Sequence, residues 1–263
     1  MRLDNRTAVV TGGASGIGAA TCRVLAERGA DVVVADLDDE QGAALADEID
    51  RERDGGASFV ETDVSDEDAV AGMVDHAEAE FGRVDILVNN AAVASREADG
   101  PITDLSDDAY DFLTGVNLQG PMYACKHAIP AMQDTGDGHG VVVNNASIAA
   151  LVAEPGMDIY TATKGALVSL TRSIAIEYAP EVRANTVCPG VVETPMLEAA
   201  MDGGEGKADD SDVPDTLERM IEDTPLGMAD PVDVANTVAF LASSDAKAIT
   251  GATIPVDGGY TAR

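Results

Sequence analysis

The chain has 263 residues, 45% of them hydrophobic, enough to build the core of one large α/β domain without disulfide or metal staples. Its 48 acidic residues against 16 basic ones give a net charge of −32, a field that repels phosphate and so excludes nucleic acid and anionic membranes as partners. The apolar content is too high and too regularly spaced for a disordered acidic chain.

In chain order, short β-branched runs alternate with longer Ala-rich amphipathic segments. Strands are expected over 7–11, 31–36, 58–61, 86–89, 141–145, 183–188 and 253–256. Helices are expected over 16–28 (stopped by Gly29), 38–50, 65–81, 106–116, 121–132, 160–178 and 230–241. Ser65 with Asp68 three residues on reads as a near capping box for the third helix. Strand and helix alternating in this way predict an α/β fold: a doubly wound parallel sheet of Rossmann type, with three αβα layers in a single domain over 1–263. One stretch breaks the rhythm. Residues 197–225 are rich in Gly and Asp and read as a long loop or lid over the substrate.

The acids are scattered (DLDDE, DVSDED, DLSDDAYD), which predicts a solvated acidic surface and adaptation to high salt, where screening cancels self-repulsion. Cys22, Cys125 and Cys188 are odd in number and far apart, so they read as core thiols of a reducing compartment. The start, MRLDNRTAVV, has no signal-peptide pattern, and no apolar run approaches a membrane span. A soluble, cytoplasmic protein is expected. His76, His127 and His139 lack the spacing for a metal or a triad, and no metal is expected.

Directly after the first strand comes TGGASGIG, residues 11–18. Gly12, Gly16 and Gly18, with Ser15 and Ile17 between them, form a loop that turns tightly and lets backbone approach phosphate. Its place between a strand and a helix makes the reading specific for a dinucleotide. Asp36 ends the second strand, where a carboxylate accepts hydrogen bonds from the ribose hydroxyls of NAD and repels the 2′-phosphate of NADP. Neither Ser15 nor Leu37 offers that phosphate a positive charge.

Tyr160 and Lys164 stand four apart and share a helix face. Free tyrosine, with a pKa of about 10, is a poor base at neutral pH. An ammonium about 4 Å away at an effective dielectric of about 20 favours the phenolate by up to ~4 kcal/mol, so the pair can exchange a proton with an alcohol or carbonyl oxygen. Ser147 follows the fifth strand at the carboxyl end of the sheet, placed to hold a substrate oxygen. Asn117, at a helix end in GVNLQG, is placed to anchor a water near Lys164.

Taken together, T11-G-G-A-S-G-I-G18, D63-V64, N89-N-A-A92, N117, S147, Y160-x-x-x-K164 and P189-G-x-V-x-T194 resemble a compact, single-domain short-chain dehydrogenase/reductase of the NAD-dependent branch, in order and spacing over 7–256. The resemblance implies Tyr160 as general acid/base, Lys164 as the group that lowers its pKa and holds the nicotinamide ribose, Ser147 as the orienter of the substrate oxygen, and Asn117 as the end of a proton relay. It implies that Asp63 and Val64 contact the adenine, that Asn90 and Ala91 line the cofactor, and that Pro189, Gly190, Val192 and Thr194 hold its nicotinamide end. Ala92 stands where the family usually has Gly, and Ala146 where it often has Ser; neither removes a group at catalytic spacing. Family likeness also implies a homo-oligomer, a tetramer with the VDGG turn at 256–259 among its contacts.

The expected activity is NAD-dependent interconversion of a secondary alcohol and a ketone, with a small-molecule substrate met by segments 149–158 and 197–225. An NADPH-dependent 3-oxoacyl-thioester reductase is the alternative enzyme, against which Asp36 argues. A non-catalytic dinucleotide sensor is the alternative outside enzymes; an intact tetrad argues against it.

Overall fold

The computed structural model describes residues 1–52, 56–95, 98–135, 139–153, 155–202 and 212–262. Seven strands form one sheet: β1 (Thr7–Thr11), β2 (Asp31–Asp36), β3 (Ala57–Glu61), β4 (Ile86–Asn89), β5 (Gly140–Asn145), β6 (Val182–Pro189) and β7 (Thr253–Val256). Their order is β3-β2-β1-β4-β5-β6-β7, and each strand pairs with its neighbours in parallel. This is the doubly wound Rossmann-type arrangement. The chain reverses its direction of growth between β1 and β4, and ligands of open parallel sheets bind at such a switch point.

Both faces of the central strands are buried, which is why β1, β2, β4 and β5 are built around runs of Val, Ile, Leu and Ala. Side chains alternate between faces. Val10, Val32 and Val34 pack with Leu25 of α1 (Gly16–Glu27), Leu45 of α2 (Asp39–Glu52) and Leu241 of the C-terminal helix on one side. Val9, Val33 and Leu87 pack with Met73 of α3 (Glu67–Phe81) and Met132 of α5 (Gly120–Asp134) on the other. A one-residue register slip would exchange these two sets.

Four sequence expectations are revised. The third helix begins after Asp66, whose carboxylate accepts from the Asp68 N–H at 2.9 Å. Ser65 does not cap it, because its hydroxyl is bonded to Asp63. The expected break before 121 is absent: α4 (Asp107–Thr114) runs through a π-helical stretch, Gly115–Gln119, directly into α5. Asn117 is therefore inside a continuous helical run and not at its end. Gly115 and Gly120 look like stop signals, yet both hold right-handed helical angles. Lastly, 197–225 is not a loop throughout: α7 (Pro195–Asp202) and α8 (Asp212–Glu222) occupy much of it, while 203–211 lies outside the described residues. The remaining helices are α6 (Asp158–Glu177) and α9 (Pro231–Ala242).

Among the residues whose burial is described, Asp85, Asp99 and Asp257 are the only buried carboxylates. No helix among the described residues is long and apolar enough to cross a membrane.

Candidate active site

The expected site residues collect at or after the carboxyl ends of β1 to β6. The glycine loop leaves β1 and enters α1 with Ser15 at the N-cap, where no side chain caps the helix. Gly12 has a φ of +62°, a conformation costly for any residue with a Cβ. A Cβ on Gly18 would stand 1.9 Å from the Gly12 carbonyl oxygen, so the loop can fold back on the helix only with glycine there. The result is an uncapped helix N-terminus behind a thin backbone loop, which fits a pyrophosphate. Ser15 is exposed and Ile17 is half-buried against the core.

Asp36 aims its carboxylate at this loop. Oδ2 accepts from the Ala14 N–H at 2.9 Å and Oδ1 from the Asp38 N–H at 3.1 Å. Leu37 beside it is 63% exposed. Asp63 is half-buried and accepts from the Ser65 N–H at 2.9 Å, and Val64 is buried against Gly120. On the other side of β1, the Asn90 amide donates to the carbonyls of Thr11 and Gly12 at 3.0 and 2.9 Å. The Thr11 hydroxyl accepts from the Asn90 and Ala91 N–H groups. Asn90 and Ala91 thus brace the glycine loop from beneath. The segment after β6 closes the cleft. Pro189 is buried at the strand end, Gly190 lies against Asp257, and Val192 pairs with Ala229. Thr194 reaches the loop itself, since a Cβ on Gly16 would lie 3.3 Å from its Cγ2.

Tyr160 and Lys164 lie in the first two turns of α6. Lys164 is 2% exposed; its Nζ stands 5.5 Å from the centroid of the Tyr160 ring and donates to the Asn145 carbonyl at 3.1 Å. Burial lowers the Lys164 ammonium from 10.5 to about 8. Cys188, whose thiol is pushed up to about 11 by burial, is neutral in that range and gives Lys164 no counter-charge. Ser147 follows β5 with extended backbone angles, and its Oγ accepts from the Ala149 N–H at 3.1 Å. That bond occupies a lone pair and leaves the hydroxyl proton to donate.

Asn117 is fully buried, but its side chain is committed elsewhere. The amide donates to the Val93 carbonyl at 2.8 Å and accepts from the Val93 N–H at 2.9 Å. The side chain clamps the segment after β4.

Sequence reading missed three contributors. Asn145 supplies the carbonyl for Lys164 and donates its amide to Asn90 Oδ1 at 2.9 Å, joining the proton-handling side to the glycine loop. Asp99 accepts from the Ile159 and Tyr160 N–H groups at 3.1 and 2.8 Å. Thr171 receives the Asn144 amide at 2.8 Å and the Thr186 hydroxyl at 2.7 Å, fixing α6 against β5 and β6. Each partner lies far off in sequence, so no local pattern could announce it.

Comparison with known proteins agrees with this geometry. The family described as enoyl-(acyl carrier protein) reductase matches residues 12–261. The chain is 43% identical over 262 residues to cis-4-hydroxycyclohexanecarboxylate dehydrogenase of Sinomonas cyclohexanicum, covering 98% of this chain and 97% of that protein. It is 38% identical over 267 residues to 3beta-hydroxysteroid dehydrogenase 2 of Eggerthella lenta, covering 99% and 96%. The crystal structure of gox2181 superposes with a TM-score of 0.88 at 34% identity, covering 100% of this chain and 98% of that one. With a glycine loop at the sheet's switch point, Tyr160 and Lys164 in register on α6, and relatives matched end to end, the chain belongs to the short-chain dehydrogenase/reductase family, whose dehydrogenases use a nicotinamide dinucleotide.

Proposed function

We propose that the protein is an NAD-dependent dehydrogenase that interconverts a secondary alcohol and a ketone, with Tyr160 as the general acid/base. The observation that carries this reading is the buried Lys164 ammonium over the Tyr160 ring, 5.5 Å from its centroid. A cation held there in low dielectric favours the phenolate. Lys164 remains charged below about pH 8, so this assistance operates at neutral pH.

A bound nicotinamide dinucleotide supplies the hydride acceptor. Ser147 donates its hydroxyl proton to the substrate oxygen and holds it beside Tyr160. The Tyr160 phenolate takes the alcohol proton as the carbonyl forms, and in the reverse direction the phenol returns it. Lys164 places one of its three donors on Asn145 and has others for the ribose hydroxyls. Ser15, Gly16, Ile17 and Gly18 receive the pyrophosphate. Asp63 and Val64 meet the adenine, and Pro189, Gly190, Val192 and Thr194 cover the nicotinamide end. Asp36 selects NAD: a carboxylate fixed by the Ala14 and Asp38 N–H groups accepts from ribose hydroxyls and repels a 2′-phosphate.

Exposed Leu151, Val152, Met196 and Leu226 follow β5 and β6 and favour an apolar substrate. The two relatives' names denote hydroxyl groups on ring compounds, so a ring-bearing secondary alcohol is the substrate class proposed here. Exposed Tyr110, Phe112 and Met122 on α4 and α5, with Ile176 at 83% exposure on α6, support assembly into a homo-oligomer, a tetramer by family likeness. The net charge of −32, with few carboxylates buried, supports a cytoplasmic protein working at high salt.

The test is absorbance at the reduced-nicotinamide band. Cyclopentanol, cyclohexanol, 4-hydroxycyclohexanecarboxylate and a 3-hydroxysteroid are offered with NAD⁺ and NADP⁺, at low and molar salt. Turnover with NAD⁺ that falls by about 10²–10⁴-fold in Tyr160→Phe, with NADH binding retained, is the expected result. Full turnover in Tyr160→Phe sinks the acid/base assignment, and preference for NADP⁺ sinks the role of Asp36.

A further inference from the structure

The first turn of α6 carries Tyr160, and its backbone is held by one carboxylate from a distant loop. Asp99 is 7% exposed and follows β4 by ten residues. Its Oδ1 accepts from the Gly100 N–H at 2.8 Å and the Ile159 N–H at 3.1 Å; its Oδ2 accepts from the Tyr160 N–H at 2.8 Å. The clasp is reciprocal: Asp158 Oδ2 accepts from the Ile102 N–H at 2.8 Å, and the Asp158 N–H donates to the Gly100 carbonyl at 3.4 Å. No side chain of the residue preceding the helix caps it, so Asp99 does that work from outside α6. A carboxylate at a helix N-terminus also meets the positive end of the helix dipole.

We propose that Asp99 is a positioning residue for Tyr160: by closing the first turn of α6 onto the loop after β4, it sets the height at which the phenol stands beside Lys164 and opposite Ser147. This rests on the acid/base reading of Tyr160 and deepens it. The rest of α6 is fixed separately, by Thr171 against Asn144 and Thr186. Losing Asp99 therefore frays one turn and leaves the helix in place. Lys164, one turn further on and held by Asn145, stays where it is while Tyr160 moves. Displacement of a reacting group by about 1 Å costs up to about a hundredfold in rate.

The experiment compares wild type, Asp99→Ala, Asp99→Asn and Tyr160→Phe. Phenolate absorbance is followed against pH in the ligand-free protein, with Tyr160→Phe subtracted to isolate Tyr160. NADH formation from cyclopentanol and NAD⁺ is measured in parallel, and circular dichroism melts report folding. In folded Asp99→Ala, the Tyr160 titration is expected to move up in pH toward the free-phenol value of about 10, and kcat to fall by about ten- to a hundredfold with KM for NAD⁺ unchanged. Asp99→Asn keeps Oδ1 for Gly100 and Ile159 and is expected to lie between. Removing the carboxylate's charge alone acts in the opposite direction, easing phenolate formation, so the sign of the shift separates geometry from field. A folded Asp99→Ala with wild-type titration and kcat, and only a lower melting temperature, overturns the inference. Retained turnover in Tyr160→Phe instead overturns the acid/base reading, and the ligand-free titration still reports on Asp99.

Discussion

Lys164 places its ammonium 5.5 Å from the centroid of the Tyr160 ring while being itself 2% exposed. A charge so buried is a cost that folding must carry, and the cost has a pH signature. Burial lowers Lys164 from 10.5 to about 8. Between those values the unfolded chain binds more protons than the folded one, so folding stability rises with pH across that window. Below about pH 8 both states are charged and the folded state bears the full penalty. In the ligand-free protein, Lys164→Met is expected to flatten this rise and to stabilise at pH 7 by up to about 3 kcal/mol. Urea unfolding at pH 7 and pH 10 checks it; equal pH dependence in both proteins would contradict the burial argument.

Cofactor choice is expected to turn on Asp36. Asp36→Ala removes the charge that opposes a 2′-phosphate and also the acceptor for the Ala14 and Asp38 N–H groups. The ratio of NADPH to NADH affinity is expected to rise by about tenfold or more, read by fluorescence titration. An unchanged ratio places selectivity elsewhere.

Asn117 gives a different kind of prediction, because its side chain is bonded to the Val93 backbone. Asn117 is itself fully buried, and Asn117→Ala removes the partner of the half-buried Val93 N–H and carbonyl. Each orphaned group costs about 1–3 kcal/mol, so a loss of stability of about 2–6 kcal/mol is expected in denaturant unfolding. A variant as stable as wild type but slow in turnover would return the side chain to the proton relay.

The net charge of −32 predicts a salt response. Raising ionic strength from about 0.1 M to about 1 M shortens the screening length from about 10 Å to about 3 Å, which relieves repulsion among the acids behind a net charge of −32. The melting temperature is expected to climb steadily with KCl through that range. A flat response would mean that neighbouring carboxylates are already well separated.

The central strands could be read in advance because β1, β2, β4 and β5 are buried parallel strands built around Val, Ile, Leu and Ala, a pattern that needs no partner to be seen. All seven expected strand ranges lie within one residue of the observed ends, and β1, β2, β4 and β7 coincide. The helical run through Asn117 was misread for an equally physical reason. Glycine is a poor helix former, yet Gly115 and Gly120 both keep helical geometry, with a π-turn between them. The capping of α3 was misplaced by one residue, since Ser65 and Asp66 are both good caps and only the bond from Ser65 to Asp63 decides between them.

By itself, the sequence determined the alternation of strands and helices, the glycine loop, the acid at the end of β2, and the Tyr160–Lys164 pair, all carried by spacings of a few residues. Only the tertiary structure decided what holds them in place. Asp99 meets Tyr160 from 61 residues away, Asn145 meets Lys164 from 19, and Asn90 meets Gly12 from 78. Such contacts are fixed by the order of strands in the sheet, and a backbone carbonyl or N–H leaves no mark in sequence that would show which distant side chain will find it.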